Sequence, residues 1–209
     1  VATNTLLEEK GRPVVLFCND GFEDLLRIGD QHRPNLFSLE IKRPKFLANE
    51  VIGVTGRINA KGQESTPLKI DQALEKKVNQ HLHNGIKSCA IAFLHSYKNP
   101  EHELRLKQWL IKLGFDTVIC SHQVSPHPRL VPRGHTALIE ATVSPVLFNY
   151  LNKIVKEIGV STELRVMSSS GSLLSPKDLL AKDTILSGPA GGMVGAIAAA
   201  QQSNLTKHP

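Results

Sequence analysis

Apolar residues along this chain fall into short unbroken runs. Between the runs they recur every three or four positions, which is the pattern of strands alternating with helices. Residues 14–18, 89–94 and 117–120 are the unbroken runs, apolar on both faces as parallel strands are. Ile70, Leu74, Val78 and Leu82 recur every four residues and predict a helix closed by Gly85. Asn99 stands before Pro100, whose fixed φ suits a first helical position. Leu106, Leu110 and Leu113 then form an inner stripe ending at Gly114. Phe22, Leu25, Leu26 and Ile28 predict a short helix after the Asn19-Asp20-Gly21 turn, stopping at Gly29. Leu6 and Leu7 predict a helix within residues 1–11 with Gly11 as its C-cap. Leu147, Leu151, Ile154 and Ile158 predict a long helix ending at Gly159, and residues 164–167 a strand.

The less periodic stretches are read from their breakers. Residues 30–49 carry Pro34 and Pro44 and read as a loop. Residues 50–58 are β-like but glycine-interrupted, so an edge or bulged strand is expected. Residues 121–136 are rich in proline, histidine and arginine and read as an ordered functional loop. The order helix–strand–helix–strand implies crossovers onto a parallel sheet, hence an α/β fold with a parallel-rich sheet and packed helices. Two domains are expected, residues 1–125 and 126–209. No internal repeat or low-complexity segment is present.

Composition narrows the function classes. With 209 residues and 41% hydrophobic, the chain can bury a core. No apolar run approaches the ~18 residues of a membrane span, and no signal peptide is visible at Val1. The charge of +6 is scattered with few interleaved aromatics, so a nucleic-acid partner is not expected. An acidic remainder outside this chain, or a site for an anion, would each account for it. Cys18, Cys89 and Cys120 each sit in an apolar run without CxxC spacing, and read as buried hydrophobes in a reducing compartment. The nine histidines show no metal-ligand spacing, and no metal site is expected.

One segment stands out chemically. Ser187-Gly188-Pro189-Ala190-Gly191-Gly192-Met193-Val194-Gly195-Ala196 reads as a helix start, with Ser187 in N-cap territory and Pro189 in the first turn. Two readings stand. The helix N-terminus favours an anion through its N–H groups and dipole, or the glycines allow another helix to cross closely. Ser168-Ser169-Ser170-Gly171 follows a predicted strand, where α/β proteins often place ligand contacts; a plain turn is the other reading.

Five segments in order resemble the hydantoinase A/5-oxoprolinase family. They are Val1–Gly11, Gly21–Gly29, Leu94-His95-Ser96-Tyr97, Val131-Pro132-Arg133-Gly134-His135-Thr136 and the Ser187–Ala196 run. Residues 131–136 resemble the ATP-hydrolysing 5-oxoprolinases in particular. The resemblance implies partial lobes of an actin-like (ribonuclease H-like) ATPase fold. It implies ATP with Mg2+ as cofactors, a cyclic amide substrate, and an oligomer or a partner domain of the hydantoinase B type. The activity implied is opening of 5-oxoproline to glutamate in a cytoplasmic enzyme of glutathione metabolism. An N-methylhydantoinase, an acetone-carboxylase-like subunit or a non-catalytic α/β binding module are the alternatives.

Site residues follow from the same resemblance. Arg133 is a candidate clamp for the substrate carboxylate, with His135 as a proton shuttle and Thr136 beside them. The other reading of this segment is a rigid loop with Arg133 paired to an acidic neighbour. Asn4, Ser169 and Ser170 are further substrate-binding candidates, and Gln31 and Arg33 fall in family-like segments. Ser187, Gly188, Pro189, Gly191, Gly192 and Gly195 are assigned to the nucleotide cleft or its hinge. The family carries an acidic or amide residue and a second glycine where this chain has Ser170 and Ser172, which leaves a catalytic carboxylate there unsupported. The family's two phosphate-gripping loops fall before residue 1 and after residue 209, so the isolated chain is expected not to hydrolyse ATP.

Overall fold

In the computed structural model, residues 1–29, 37, 45–159 and 162–203 are described; Gln31 and Arg33 lie outside them. The chain divides into two compact units, residues 12–142 and residues 1–11 with 143–209. This division differs from the expected boundary near residue 125, because the N-terminal helix joins the C-terminal unit.

The unit of residues 12–142 is built on a parallel sheet. Its strands are β1 (Val14–Asn19), β2 (Ala48–Val54), β5 (Ser88–Ala92) and β6 (Thr117–Cys120), in the order β2-β1-β5-β6. Every residue of β1 and β5 is buried, as the unbroken apolar runs require. β2 is an edge strand with a register shift against β1, as its glycine-interrupted sequence predicts. A two-stranded hairpin, β3 (Arg57–Ile58) and β4 (Glu64–Thr66), follows β2. One face of the sheet buries Val15, Phe17, Ile91 and Val118 against Leu74 and Val78 of α3 (Gln72–His83) and Leu106 and Leu110 of α4 (Glu101–Leu113). Asp71 caps α3, its Oδ1 accepting the Leu74 N–H at 2.9 Å. Gly114 ends α4 at φ +119°, where a side chain would be strained. Cys18, Cys89 and Cys120 are free and buried. Burial pushes the thiols of Cys18 and Cys120 up to about 12, and that of Cys89 well above its ordinary value.

Two connections depart from the sequence expectation. The first short helix, α1, spans Ala2–Leu7 and is closed at Glu8, with Glu9 rather than Gly11 adopting positive φ, +54°. Residues 121–136 are mostly helical. α2 (Leu25–Ile28) comes earlier in the chain, but α5 (Ser121–Val124) and the start of α6 (Leu130–Ile158) occupy the stretch expected to be a loop. The apolar repeat from Leu147 marks only the second half of α6.

Pro145 lies inside α6. A proline removes the N–H that would bond the carbonyl four residues back and crowds that carbonyl. The freed Ala141 carbonyl instead accepts the Ser88 hydroxyl at 2.6 Å, and the Thr142 carbonyl accepts the Arg12 N–H at 3.0 Å. The boundary between the units falls at this turn.

The other unit holds α1, the second half of α6, an antiparallel hairpin of β7 (Val166–Met167) and β8 (Leu173–Leu174), a 3-10 turn (Ala181–Thr184) and α7 (Ser187–Gln202). Its small core includes Ala2, Thr5, Leu179, Ala181 and Thr184. Thr3 Oγ1 donates to the Ile185 carbonyl and fixes α1 beside the 3-10 turn. α7 buries none of its residues; Met193, Val194 and Ile197 are 65%, 44% and 52% exposed. Among the described residues no helix is long and apolar enough to cross a membrane.

Candidate functional site

Three of the segments singled out in the sequence meet in the smaller unit. The β7–β8 hairpin turns through Ser168–Ser172, closed by Ser168 N–H to the Ser172 carbonyl (2.8 Å) and Gly171 N–H to the Ser168 carbonyl (3.0 Å). Gly171 sits at φ +81°, which the turn requires of a glycine. The Ser168, Ser170 and Ser172 hydroxyls form a chain, 2.8 Å and 3.2 Å apart. Ser169 points elsewhere: its Oγ accepts the Leu186 N–H at 3.0 Å, just before α7 begins. A serine from the hairpin thus ties down the residue that precedes α7, and no side chain caps the helix itself. Ser187 is the first helical residue and Leu186 the N-cap, a one-residue correction of the sequence reading; Pro189 lies in the first turn as expected. Asn4 is exposed on α1, next to the Thr3 that bonds Ile185.

The α7 glycines are open. A Cβ on Gly188, Gly192 or Gly195 would meet nothing within 4 Å, and one on Gly191 would touch Met167 Cγ at an ordinary 3.8 Å. Among the described residues, then, no helix makes the close crossing that these glycines permit.

The larger unit holds the other candidates, and there the motif at 131–136 is a packing device. Arg133 is fully buried. Its Nε donates to Ser121 Oγ (3.0 Å), Nη1 to the His127 carbonyl (3.0 Å) and Nη2 to the Phe93 carbonyl. The guanidinium also lies 5.7 Å from the centre of the Tyr97 ring. Ser121 Oγ donates onward to Glu103 Oε1 at 2.6 Å, and Glu103, itself fully buried, also accepts the Phe93 N–H (2.9 Å) and His122 Nδ1 (2.5 Å). Burial lowers the Arg133 pKa from its ordinary value; Glu103 and Tyr97 oppose that shift. Both readings of Arg133 had an acidic partner or a ligand in view; the structure places the side chain against protein groups at every nitrogen.

Gly134 lets α6 approach α2, since a Cβ there would lie 2.4 Å from Leu26 Cδ2. His135 Nε2 is 2.9 Å from the Leu26 carbonyl and its ring packs on Phe46 at 6.5 Å. Thr136 Oγ1 donates back to the Pro132 carbonyl, one turn earlier on α6, at 2.8 Å. Glu103 and Ser121 were missed in the sequence. Glu103 lies on a helix that reads as amphipathic, and nothing in the spacing sets it apart from a solvated glutamate.

Among the described residues, Glu103, Cys120 and His122 are the side chains close enough to converge on a metal. They do not suit Mg2+, which takes oxygen ligands, and the carboxylate is already saturated by protein donors.

Comparison with known proteins decides the family. Residues 1–114 match the hydantoinase/oxoprolinase N-terminal region and residues 133–207 match hydantoinase/oxoprolinase. The chain belongs to the hydantoinase/oxoprolinase family. Among the family's curated members it is 33% identical to 5-oxoprolinase of Dictyostelium discoideum and 34% to 5-oxoprolinase 1 of Arabidopsis thaliana, over 93% of this chain in each case. It spans 18% and 17% of those two proteins. A nucleotide-free acetone carboxylase structure matches 97% of the chain with a TM-score of 0.81 at 25% identity, covering 31% of that chain. The crystal structure of ATP-dependent caprolactamase from Pseudomonas jessenii matches 96% with a TM-score of 0.80 at 30% identity, covering 30% of that chain. The α/β fold with a parallel sheet and packed helices is therefore shared with these two structures.

Proposed function

We propose that the whole protein is an ATP-dependent hydrolase of cyclic amides whose substrate is 5-oxoproline. The observation that carries this is identity of 33–34% to 5-oxoprolinases over 93% of the chain. A lactam carbonyl is a poor electrophile, so the chemistry needs activation. The amide oxygen takes the γ-phosphoryl group of ATP and ADP leaves. Water then adds to the activated carbon, the C–N bond breaks, and phosphate departs as the ring opens to glutamate.

In this reading the smaller unit walls the nucleotide cleft. The N-terminal half of α7, with Ser187, Gly188, Pro189, Gly191, Gly192 and Gly195, faces the nucleotide or the hinge beside it, and Asn4, Ser169 and Ser170 line the same region. Ser169 holds the helix start in place. Arg133 and His135 support the substrate region by fixing α6 against the residue after β5 and against α2, with Thr136 bonded within α6, which the enclosed guanidinium favours over direct contact with a carboxylate. Mg2+ accompanies ATP, a hydantoinase B-type domain or subunit completes the active site, and the enzyme works in the cytoplasm.

The test is ATP hydrolysis by the full-length protein with 5-oxoproline, hydantoin, caprolactam, or acetone with bicarbonate. Stimulation by 5-oxoproline alone supports the proposal. Stimulation by caprolactam alone, or by acetone with bicarbonate, favours the second reading, which rests on the structural likeness to caprolactamase and acetone carboxylase. No stimulation by any of them overturns both.

A further inference from the structure

The β3–β4 hairpin stands apart from the four parallel strands, its two strands paired only with each other. An isolated two-stranded hairpin is marginal in water, so other contacts must hold it down. Of residues 57–67, Ile58 alone is buried, at 2% exposure, and β4 is exposed throughout. The turn keeps its own shape. Asn59 Oδ1 accepts the N–H groups of Lys61 (2.8 Å) and Gln63 (3.1 Å), and the Asn59 N–H donates to the Gln63 carbonyl at 2.9 Å.

The base of the hairpin is pinned. The Lys69 N–H donates to the Thr55 carbonyl at 2.9 Å and closes a neck, and Asn19 Nδ2 donates to the Gly56 carbonyl at 2.6 Å. Leu68 packs into the core of the sheet. The rest is held from one side. Lys98 Nζ donates to the Ala60 carbonyl (3.0 Å), Asn99 Nδ2 to the Gly62 carbonyl (2.9 Å) and His102 Nε2 to Glu64 Oε1 (2.6 Å). Arg105 Nη1 stands 3.9 Å from that same carboxylate oxygen. All of these donors come from residues 98–105, the run into α4 and its first turns. The Glu64 and Arg105 side chains are 43% and 48% exposed, so their charges add little to the grip.

The grip is also incomplete. A carboxylate only accepts, so His102 donates through Nε2 and its Nδ1 is left as an acceptor. Among the described residues, that Nδ1 is the one buried side-chain nitrogen or oxygen without a hydrogen-bond partner. It abuts Gly56, where a Cβ would lie 3.2 Å away. A ring nitrogen kept dry and unbonded penalises the closed arrangement. Lifting the hairpin gives Nδ1 to water, at the expense of one buried isoleucine and the three hydrogen bonds from Lys98, Asn99 and His102.

We propose that residues 57–67 form a flap that lifts as a unit from the fixed neck at Thr55 and Lys69, with the His102–Glu64 pair as its latch, while the parallel sheet stays folded. The open flap uncovers the His102 imidazole and the first turn of α4. The experiment is thiol labelling of the 209-residue chain at pH 8 without denaturant. In Ile58→Cys the introduced thiol is covered while the flap is closed, and Cys18, Cys89 and Cys120, all buried in the sheet, report global unfolding of the same molecule. The introduced thiol is expected to react with a disulfide reagent at least tenfold faster than the native three. Adding Glu64→Gln is expected to speed it about two- to fivefold further and to leave the native thiols unchanged. Because Ile58→Cys trims the anchor, amide hydrogen exchange at Asn59 with Ile58 intact is the second readout. It is expected to run faster than at Ile91 of β5 and to rise by a similar factor in Glu64→Gln, whereas Glu75→Gln on α3 changes neither. Reaction of the introduced thiol in step with the native thiols overturns the flap. Rates at the introduced thiol and at Asn59 that Glu64→Gln leaves unchanged overturn the latch.

Discussion

Replacing Arg133 with alanine separates a structural clamp from a ligand contact. The side chain is fully buried and donates to Ser121 Oγ, the His127 carbonyl and the Phe93 carbonyl. Its removal strands these acceptors and leaves the buried Glu103 carboxylate without the cation behind Ser121. Each stranded buried group costs about 1–3 kcal/mol, and breaking one side of a buried charged network costs about 3–5 kcal/mol in total. Against a folding stability of about 5–15 kcal/mol this is a large fraction. For a chain of this size it lowers Tm by on the order of 10 °C. Urea and thermal unfolding followed by circular dichroism measure it, and Arg133→Lys is expected to fall between, because lysine keeps the charge and loses the fork. A double-mutant cycle with Ser121→Ala should show coupling, since the two share a hydrogen bond. A loss below about 1 kcal/mol in Arg133→Ala would refute the clamp and return the residue to the ligand, because only a solvent- or ligand-facing arginine is so cheap to remove.

Other consequences are simpler to test. Ser88→Ala leaves the Ala141 carbonyl, freed by Pro145, without a donor and is expected to cost about 1–3 kcal/mol in urea unfolding. Gly192→Ala and Gly195→Ala place a methyl in open space on a helix and are expected to stabilise this chain by up to about 1 kcal/mol in thermal unfolding. Ser169→Ala removes the acceptor of the Leu186 N–H, costs about 0.5–1.5 kcal/mol, and speeds hydrogen exchange at that amide. The three thiols should react with a disulfide reagent at pH 8 only after unfolding. Because the folded values of Cys18 and Cys120 are raised to about 12 from 9.0, their contribution to stability is whole below pH 9 and declines as pH rises from there toward 12.

The strands and the helices packed on them were legible because burial on both faces leaves an unbroken apolar run, and burial of one face leaves a period near four. Val14–Asn19, Ser88–Ala92 and Gln72–His83 carry those marks in full. The stretch before Leu147 did not, because α6 there is held by specific groups rather than by a stripe. Arg133, Gly134 and His135 each meet a different neighbour, and in a linear reading such residues look like a loop. The order of five motifs determined the family from sequence alone, since motif identity needs no coordinates.

Only the tertiary structure decided what the motif residues touch. It enclosed Arg133 and tied Leu186, just before α7, to Ser169 of the β7–β8 turn. It also made Asn19 bridge the Gly56 carbonyl and the Leu94 N–H, joining the segments that follow β2 and β5. Contacts of that kind join residues far apart in the chain, and their energies depend on distance and burial, which the order of residues does not encode.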